Sequence, residues 1–139
     1  MAQFAGFSIY DGQATPVLKP FAAVDHLNDV WIWRDTAASS VLAAVVVTLT
    51  RLKVKGNSNM ERYRKKIVIP ALETATGANS SGYTAAPRIA YTLQSIEDII
   101  IPSRATVPQR KDLIAFSSNL NNIAMTQLAD VYQTGVMPT

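Results

Sequence analysis

Seven basic side chains, Arg51, Lys53, Lys55, Arg62, Arg64, Lys65 and Lys66, crowd into one short window opposed only by Glu61, which gives that window a net charge of +6. The remaining six basic residues face nine acidic ones, so the rest of the chain stands at −3. A chain that gathers its positive charge in one stretch and is mildly acidic elsewhere is suited to meet a polyanion at one place, and nucleic acid is the first candidate. The competing view is that these cations only solubilise an exposed hairpin and guard its edge.

Other chemistry has little to work with. The 139 residues contain no cysteine, which removes disulfides, thiolate metal sites and thiol nucleophiles together. One histidine, His26, excludes His-rich zinc sites and any mechanism that needs two imidazoles. Glu97 and Asp98 are adjacent, and neighbours in a strand point to opposite sides, so the two carboxylates cannot easily share a substrate. The six glycines are isolated from one another, so there is no phosphate-cradling loop. Trp31 and Trp33 share a face and read as core or subunit-interface aromatics. No enzyme, cofactor or metal site is expected.

The basic residues must be positioned by strands. Phe4, Phe7 and Ile9 precede Asp11-Gly12 while Val17, Leu18 and Phe21 follow it, which predicts an N-terminal hairpin of roughly 3–10 with 13–20 around an Asp-Gly turn. Pro16 and Pro20 make its second arm an edge or irregular strand. Val30 to Arg34 is a short aromatic strand. A longer one, about Leu42 to Lys55, turns at 56–59 and returns from Met60 to Ile69, ended by Pro70. Residues 71–86 are small and polar, too long for a tight connection, and a further strand, Arg88 to Ile101, lies between Pro87 and Pro102.

Alternation then assigns faces. Arg62, Arg64, Lys66 and Val68 share one side of the returning strand; Tyr63, Lys65, Ile67 and Ile69 share the other and should face inward. On the outgoing strand, packing of Val45, Val47 and Leu49 would place Thr48 and Thr50 beside the arginines, whereas a bulge would expose Arg51 and Lys53 instead. Cations with interspersed hydroxyls on a flat sheet suit phosphate contacts with a weak handle on base edges.

The texture changes after residue 103. Thr106-Val107-Pro108-Gln109 fits a capping box with proline in the first turn, and Leu113, Phe116 and Leu120 mark one apolar stripe. Asn121 or Asn122 can cap a second helix with Ala124, Leu128, Val131 and Tyr132 on its stripe, stopped near Gly135. Strands first and helices last predict an α+β fold: an N-terminal β-hairpin, an antiparallel β-sheet and two C-terminal α-helices on one sheet face. We expect a single domain, 1–139, mainly β over 1–103 and helical over 104–139. The first positive side chain is Lys19, and the uncharged run Thr36 to Thr50 is interrupted by five Ser or Thr and falls short of the roughly 20 residues of a spanning helix, so a soluble protein without a membrane partner is expected.

This order of elements resembles the coat proteins of single-stranded RNA bacteriophages, the levivirus type. The resemblance is carried by Arg62-Tyr63-Arg64-Lys65-Lys66-Ile67-Val68-Ile69-Pro70, Arg88-Ile89-Ala90-Tyr91, Ile99-Ile100-Ile101-Pro102 and Thr106-Val107-Pro108-Gln109-Arg110-Lys111-Asp112-Leu113, and covers essentially the whole chain. It implies an interlocked homodimer in which each subunit's helices reach across its partner and two sheets join. It also implies assembly of dimers, in the bacterial cytoplasm, into the icosahedral shell of a virion, and binding of single-stranded viral RNA on the inner sheet face. In such proteins an RNA hairpin at the replicase start is gripped, repressing translation. The loop 71–86, with Gly77 and Gly82, would change shape between quasi-equivalent positions. Carried over by position, the RNA-facing residues are Thr48, Thr50, Arg62, Arg64, Lys66 and Gln94, with Ile96 departing from a family pattern that expects a polar residue where a base is read. The alternative function is an RNA-binding α+β domain that builds no shell.

Overall fold

The computed structural model describes residues 3–52, 56, 59–73, 80–82 and 85–138. The chain divides into two compact units, Met1–Ile100 and Ile101–Thr139.

The first unit is a six-stranded antiparallel sheet whose spatial order equals its chain order: β1 (Phe7–Tyr10), β2 (Leu18–Leu27), β3 (Val30–Asp35), β4 (Val46–Leu52), β5 (Met60–Leu72) and β6 (Ile89–Pro102), the last crossing the unit boundary. β1 and β2 form the expected N-terminal hairpin, but not around an Asp-Gly turn. The Asp11 amide donates to the Val17 carbonyl at 3.0 Å, and the Asp11 carboxylate accepts from the Val17 amide at 2.9 Å. Five residues are thereby looped out, and Gly12 is not among the glycines with positive φ. The side chain of Asp11 outcompetes the tight turn by satisfying the far arm's amide itself.

The second arm is an interior strand rather than an edge, and irregular in that its register with β3 shifts between Ala23 and Asp25. It then runs on to a two-residue hairpin turn at Asn28 and Asp29, both at positive φ (52° and 61°), a conformation these two residue types tolerate. Gly6 is required where the chain enters β1: a Cβ there would lie 2.7 Å from the Phe21 carbonyl oxygen.

Between β3 and β4 the Asp35 carboxylate accepts from the Ala37 amide at 2.8 Å, and Ser40 caps a single 3-10 turn, Val41–Ala43. β4 is therefore shorter than expected at its start; its expected end, Lys53 and Lys55, lies outside the described residues, as does most of the turn after it. β5 does not stop at Pro70. The rungs with β4 end at Val46 opposite Val68, so on that side the proline removes no ladder bond. At the neck of the following loop the Glu73 amide donates to the Arg88 carbonyl at 2.8 Å and the two side chains form an ion pair. Residues 74–79, including Gly77, and 83–84 lie outside the described residues; Gly82 is at φ 78°.

Register fixes the two faces, because directly opposed residues share one. One face gathers Phe7, Phe21, Trp33 and Val47 along successive rungs. Phe7 stacks on Phe21 with centroids 5.2 Å apart, Phe4 meets Trp33 edge-on at 5.3 Å, and Trp33 Nε1 donates to the Ala5 carbonyl at 2.9 Å. Trp31 stacks on His26 at 4.5 Å on the same face. Phe21, at 4% exposure, and Val47 are buried, yet among the described residues no side chain is sealed completely, and a cavity of about 660 Å3 lies on this face among Ile9, Phe21, Val47, Ile67 and Ile69.

In the second unit the capping box forms as expected. The Thr106 amide donates to Gln109 Oε1 at 3.0 Å, the Gln109 amide reaches Thr106 Oγ1, and α1 runs Val107–Leu120. The Arg110 guanidinium donates to the Ala105 carbonyl at 3.1 Å, fixing the entry of the chain. α2 (Thr126–Thr134) starts later than expected, with neither Asn121 nor Asn122 as its cap. Asn122 instead accepts from the Ala124 amide at 2.9 Å in the intervening turn, so Ala124 precedes the helix. Gly135, in the left-handed region, closes α2 through its amide to the Val131 carbonyl at 2.8 Å. No residue of either helix is buried; Phe116 is 67% and Tyr132 73% exposed. No helix among the described residues is long and apolar enough to cross a membrane.

Candidate nucleic-acid interface

The basic hairpin is built from β4 and β5 in unbroken antiparallel register. Thr48 stands opposite Lys66, Thr50 opposite Arg64 and Leu52 opposite Arg62. No bulge interrupts these rungs, so the hydroxyls and cations share one face, and Arg51 falls on the other, opposite Tyr63. β3 extends the basic face with Val30 beside Thr50, Ile32 beside Thr48 and Arg34 beside Val46.

β6 completes the surface. Asp98 accepts from Arg62 Nη2 at 2.6 Å and from Arg64 Nε and Nη2 at 2.7 and 2.9 Å, which places Asp98 on the basic face. Glu97 pairs with Lys65 at 2.5 Å on the opposite one, so the two adjacent carboxylates do point apart. Alternation along β6 then brings Ile96 and Gln94 to the same side as Asp98; both are exposed. All six expected site residues, Thr48, Thr50, Arg62, Arg64, Lys66 and Gln94, therefore lie on one sheet face.

Asp98 is the residue that sequence reasoning missed here. It lies two and four positions from Ile96 and Gln94, so its facing followed from the same alternation. Reading the Glu97-Asp98 pair only as a catalytic candidate hid its role as a counter-ion. Hydrogen bonds from Arg64, then from Arg62, hold its carboxyl well below the ordinary carboxylate range, while the Arg64 guanidinium is shifted upward chiefly by its hydrogen bond to Asp98. Both arginine side chains stay about two-fifths exposed, so the ion pairs are solvated and their main effect is geometric. One carboxylate orients two planar forks and leaves their other terminal N–H groups for further acceptors, whereas Arg62 Nε is shut off from solvent.

The strand residues of this face carry Arg34, Arg62, Arg64 and Lys66 against Asp25 and Asp98, a net charge of +2. Half-buried cations and hydroxyls and one exposed amide over three adjacent strands can bind phosphate oxygens and offer donors to base edges. No aromatic platform for base stacking stands among them, since Tyr63 and Trp31 lie on the other face.

Comparison with known proteins gives a consistent result. A family model described as "Levivirus coat protein" matches residues 2–135. The fold is similar to that of the virus-like particle of bacteriophage ESE058, with a TM-score of 0.85 at 23% identity, covering 99% of this chain and 100% of that one. It is similar to the virus-like particle of Beihai levi-like virus 21, with a TM-score of 0.81 at 18% identity and 99% of each chain covered. The bacteriophage GA protein capsid aligns with a TM-score of 0.69 at 18% identity, over 93% of this chain and 95% of that one. No curated protein matches at the sequence level.

Proposed function

The chain belongs to the levivirus coat protein family, a family of capsid structural proteins rather than of enzymes, and on that premise we propose that it assembles through homodimers into the icosahedral shell of a virion and holds single-stranded RNA against its basic sheet face. Residues 1–139 act as one coat-protein domain in this reading. The observation that carries the RNA assignment is the common facing of Thr48, Thr50, Arg62, Arg64, Lys66 and Gln94, with cations and hydroxyls on adjacent rungs.

Dimerisation has a physical motive in each unit. The sheet leaves its aromatic face incompletely sealed, β6 has no strand beside it other than β5 among the described residues, and both helices expose apolar side chains. A second copy relieves all three at once, by joining β6 edges and by laying helices over the aromatic face. Phosphate binding by Arg62, Arg64 and Lys66 is sequence-tolerant and serves packaging of the genome. Repression of replicase translation would need base reading in addition, which Thr48, Thr50 and Gln94 are equipped to supply and the apolar Ile96 is not.

Expression of the full chain alone in bacteria tests the reading. The expected product is closed particles seen by electron microscopy, assembled in the host cytoplasm and carrying host RNA. A soluble monomer at micromolar concentration, free of nucleic acid, would refute it. Replacing Arg62, Arg64 and Lys66 together by Ala is expected to lower the RNA content of the particles.

A further inference from the structure

The basic face does not end at Lys66. One rung further on, Arg34 shares that face, opposite Val46, which in turn stands opposite Val68. Its situation differs from that of the hairpin arginines. Arg62 and Arg64 are each engaged by Asp98, whereas among the described residues nothing engages the Arg34 guanidinium; its Nε, like that of Arg62, is shut off from solvent, so its terminal nitrogens are the ones left to meet a ligand.

The guanidinium borders a cavity of about 410 Å3. Such a volume falls in the range of about 300–1,000 Å3 usual for small-molecule sites. Ala22, Val24 and Ala44 supply apolar walls and Ser40 a hydroxyl. Ser40 Oγ accepts from the Ala43 amide at 3.3 Å, so its own proton remains available to donate. Asp35 also borders the cavity, with its Oδ1 turned to the Ala37 amide at 2.8 Å. Val24 is the residue bulged out of the β2–β3 register, which is what leaves room beside Arg34.

The geometry points to a nucleotide subsite at this cavity: one RNA nucleotide seated against Ala22, Val24 and Ala44, with its phosphate accepting from the terminal nitrogens of Arg34 and the Ser40 hydroxyl. The inference rests on the reading of the basic face as an RNA surface and adds a contact outside the β4–β5 hairpin. A planar fork that is unpaired and half-buried fits a phosphate oxygen better than water, and small apolar walls fit the face of a base or sugar.

The test uses the full-length protein titrated with a fluorescent oligouridylate at several salt concentrations, while the Arg34 Nε–H resonance is followed by NMR. The resonance is expected to shift as the oligonucleotide binds. Arg34→Gln is expected to weaken binding three- to tenfold and to reduce the slope of log K against log salt by about 0.7, one phosphate contact on a single strand. Arg34→Lys, which keeps the charge without the fork, is expected to keep the slope, and it carries the comparison if Arg34→Gln loses its folded circular dichroism spectrum. Wild-type affinity and slope in both variants, while the Arg62, Arg64 and Lys66 triple variant binds weakly, would overturn the subsite and leave the RNA surface standing. Failure of the wild-type protein to bind the oligonucleotide would remove the RNA surface itself. A shift of the Arg34 resonance by inorganic phosphate as large as by the oligonucleotide, at equal phosphate concentration, would overturn the RNA subsite in favour of a simple anion site.

Discussion

The two faces of this sheet are cut from the same strands, residue by residue in alternation, and they differ in almost every property that matters for binding. One carries four cations, two carboxylates and two threonines; the other carries Phe7, Phe21, Trp31, Trp33 and Val47, with Lys65 answered by Glu97 and with Lys19, Asp35 and Arg51 toward its margins. The strand period of two is enough to separate them, since a one-residue slip of β5 against β4 would exchange Arg64 for Lys65 and carry Ile67 outward. Register is thus the quantity on which both surfaces depend together. The aromatic face resists such a slip through its packing, and so the position of the cations is fixed by residues on the opposite side of the sheet.

Perturbations of one face should therefore leave the other measurable. The largest effect is expected from Trp33→Ala, which deletes ring contacts to Phe4 and Phe7 and the hydrogen bond to the Ala5 carbonyl. A loss of about 3 kcal/mol in urea-unfolding stability is expected, with the salt slope of RNA binding unchanged in the folded fraction. Next comes the Arg62, Arg64 and Lys66 triple Ala variant. Its salt slope should fall by about 2, three phosphate contacts at about 0.7 each, while its unfolding midpoint stays near that of the wild type. Equal loss of stability and RNA binding in both variants would dissolve the separation of faces.

A smaller and opposite effect is expected of Asp98→Asn. Removing the shared counter-ion releases two guanidinium groups, so binding to unstructured RNA should tighten several-fold with a steeper salt slope, measured by the same titration. An unchanged slope would mean that the two ion pairs are already open when RNA binds.

The least effect is a pH response. Asp98 is ionised throughout the neutral and mildly acidic range because Arg64 and Arg62 favour its charged form. A lowered carboxyl pKa contributes stability that is present above the unfolded value, near 4, and is lost only as the pH falls through the lowered folded value. The side-chain carboxyl carbon of Asp98 should therefore show no titration by NMR between pH 7 and pH 4, and Arg64→Gln should move its midpoint back toward the ordinary range. Titration of wild-type Asp98 near pH 4 would show that the arginines do not hold it.

Much of this was legible in the residues because period-two alternation is a local property. The facing of Thr48, Thr50, Arg62, Arg64 and Lys66 needed only that β4 and β5 be regular, and they are. The Thr106 and Gln109 capping box was legible for the same reason, as a pattern complete within four residues. What escaped depended on competition between partners distant in sequence or chemically alike. Asp11 captures the Val17 amide and opens a turn that Asp-Gly would otherwise close tightly. Asn28 and Asp29 form the β2–β3 turn without any glycine. Asn122 spends its side chain on the Ala124 amide, so the nearest cap residue does not begin α2. Asp98 meets Arg62 and Arg64 across 36 and 34 residues of chain, a pairing visible only once β5 and β6 are neighbours.

The sequential strand order has a kinetic consequence. Each strand of the sheet hydrogen-bonds to the one synthesised just before it, with no crossover anywhere in the six. Closure can advance hairpin by hairpin as the polypeptide leaves the ribosome, each step joining only nearby residues and so avoiding the entropy of long loops. A protein required in many identical copies at once gains from this, since fewer chains linger half-paired at concentrations where exposed strand edges would find one another prematurely.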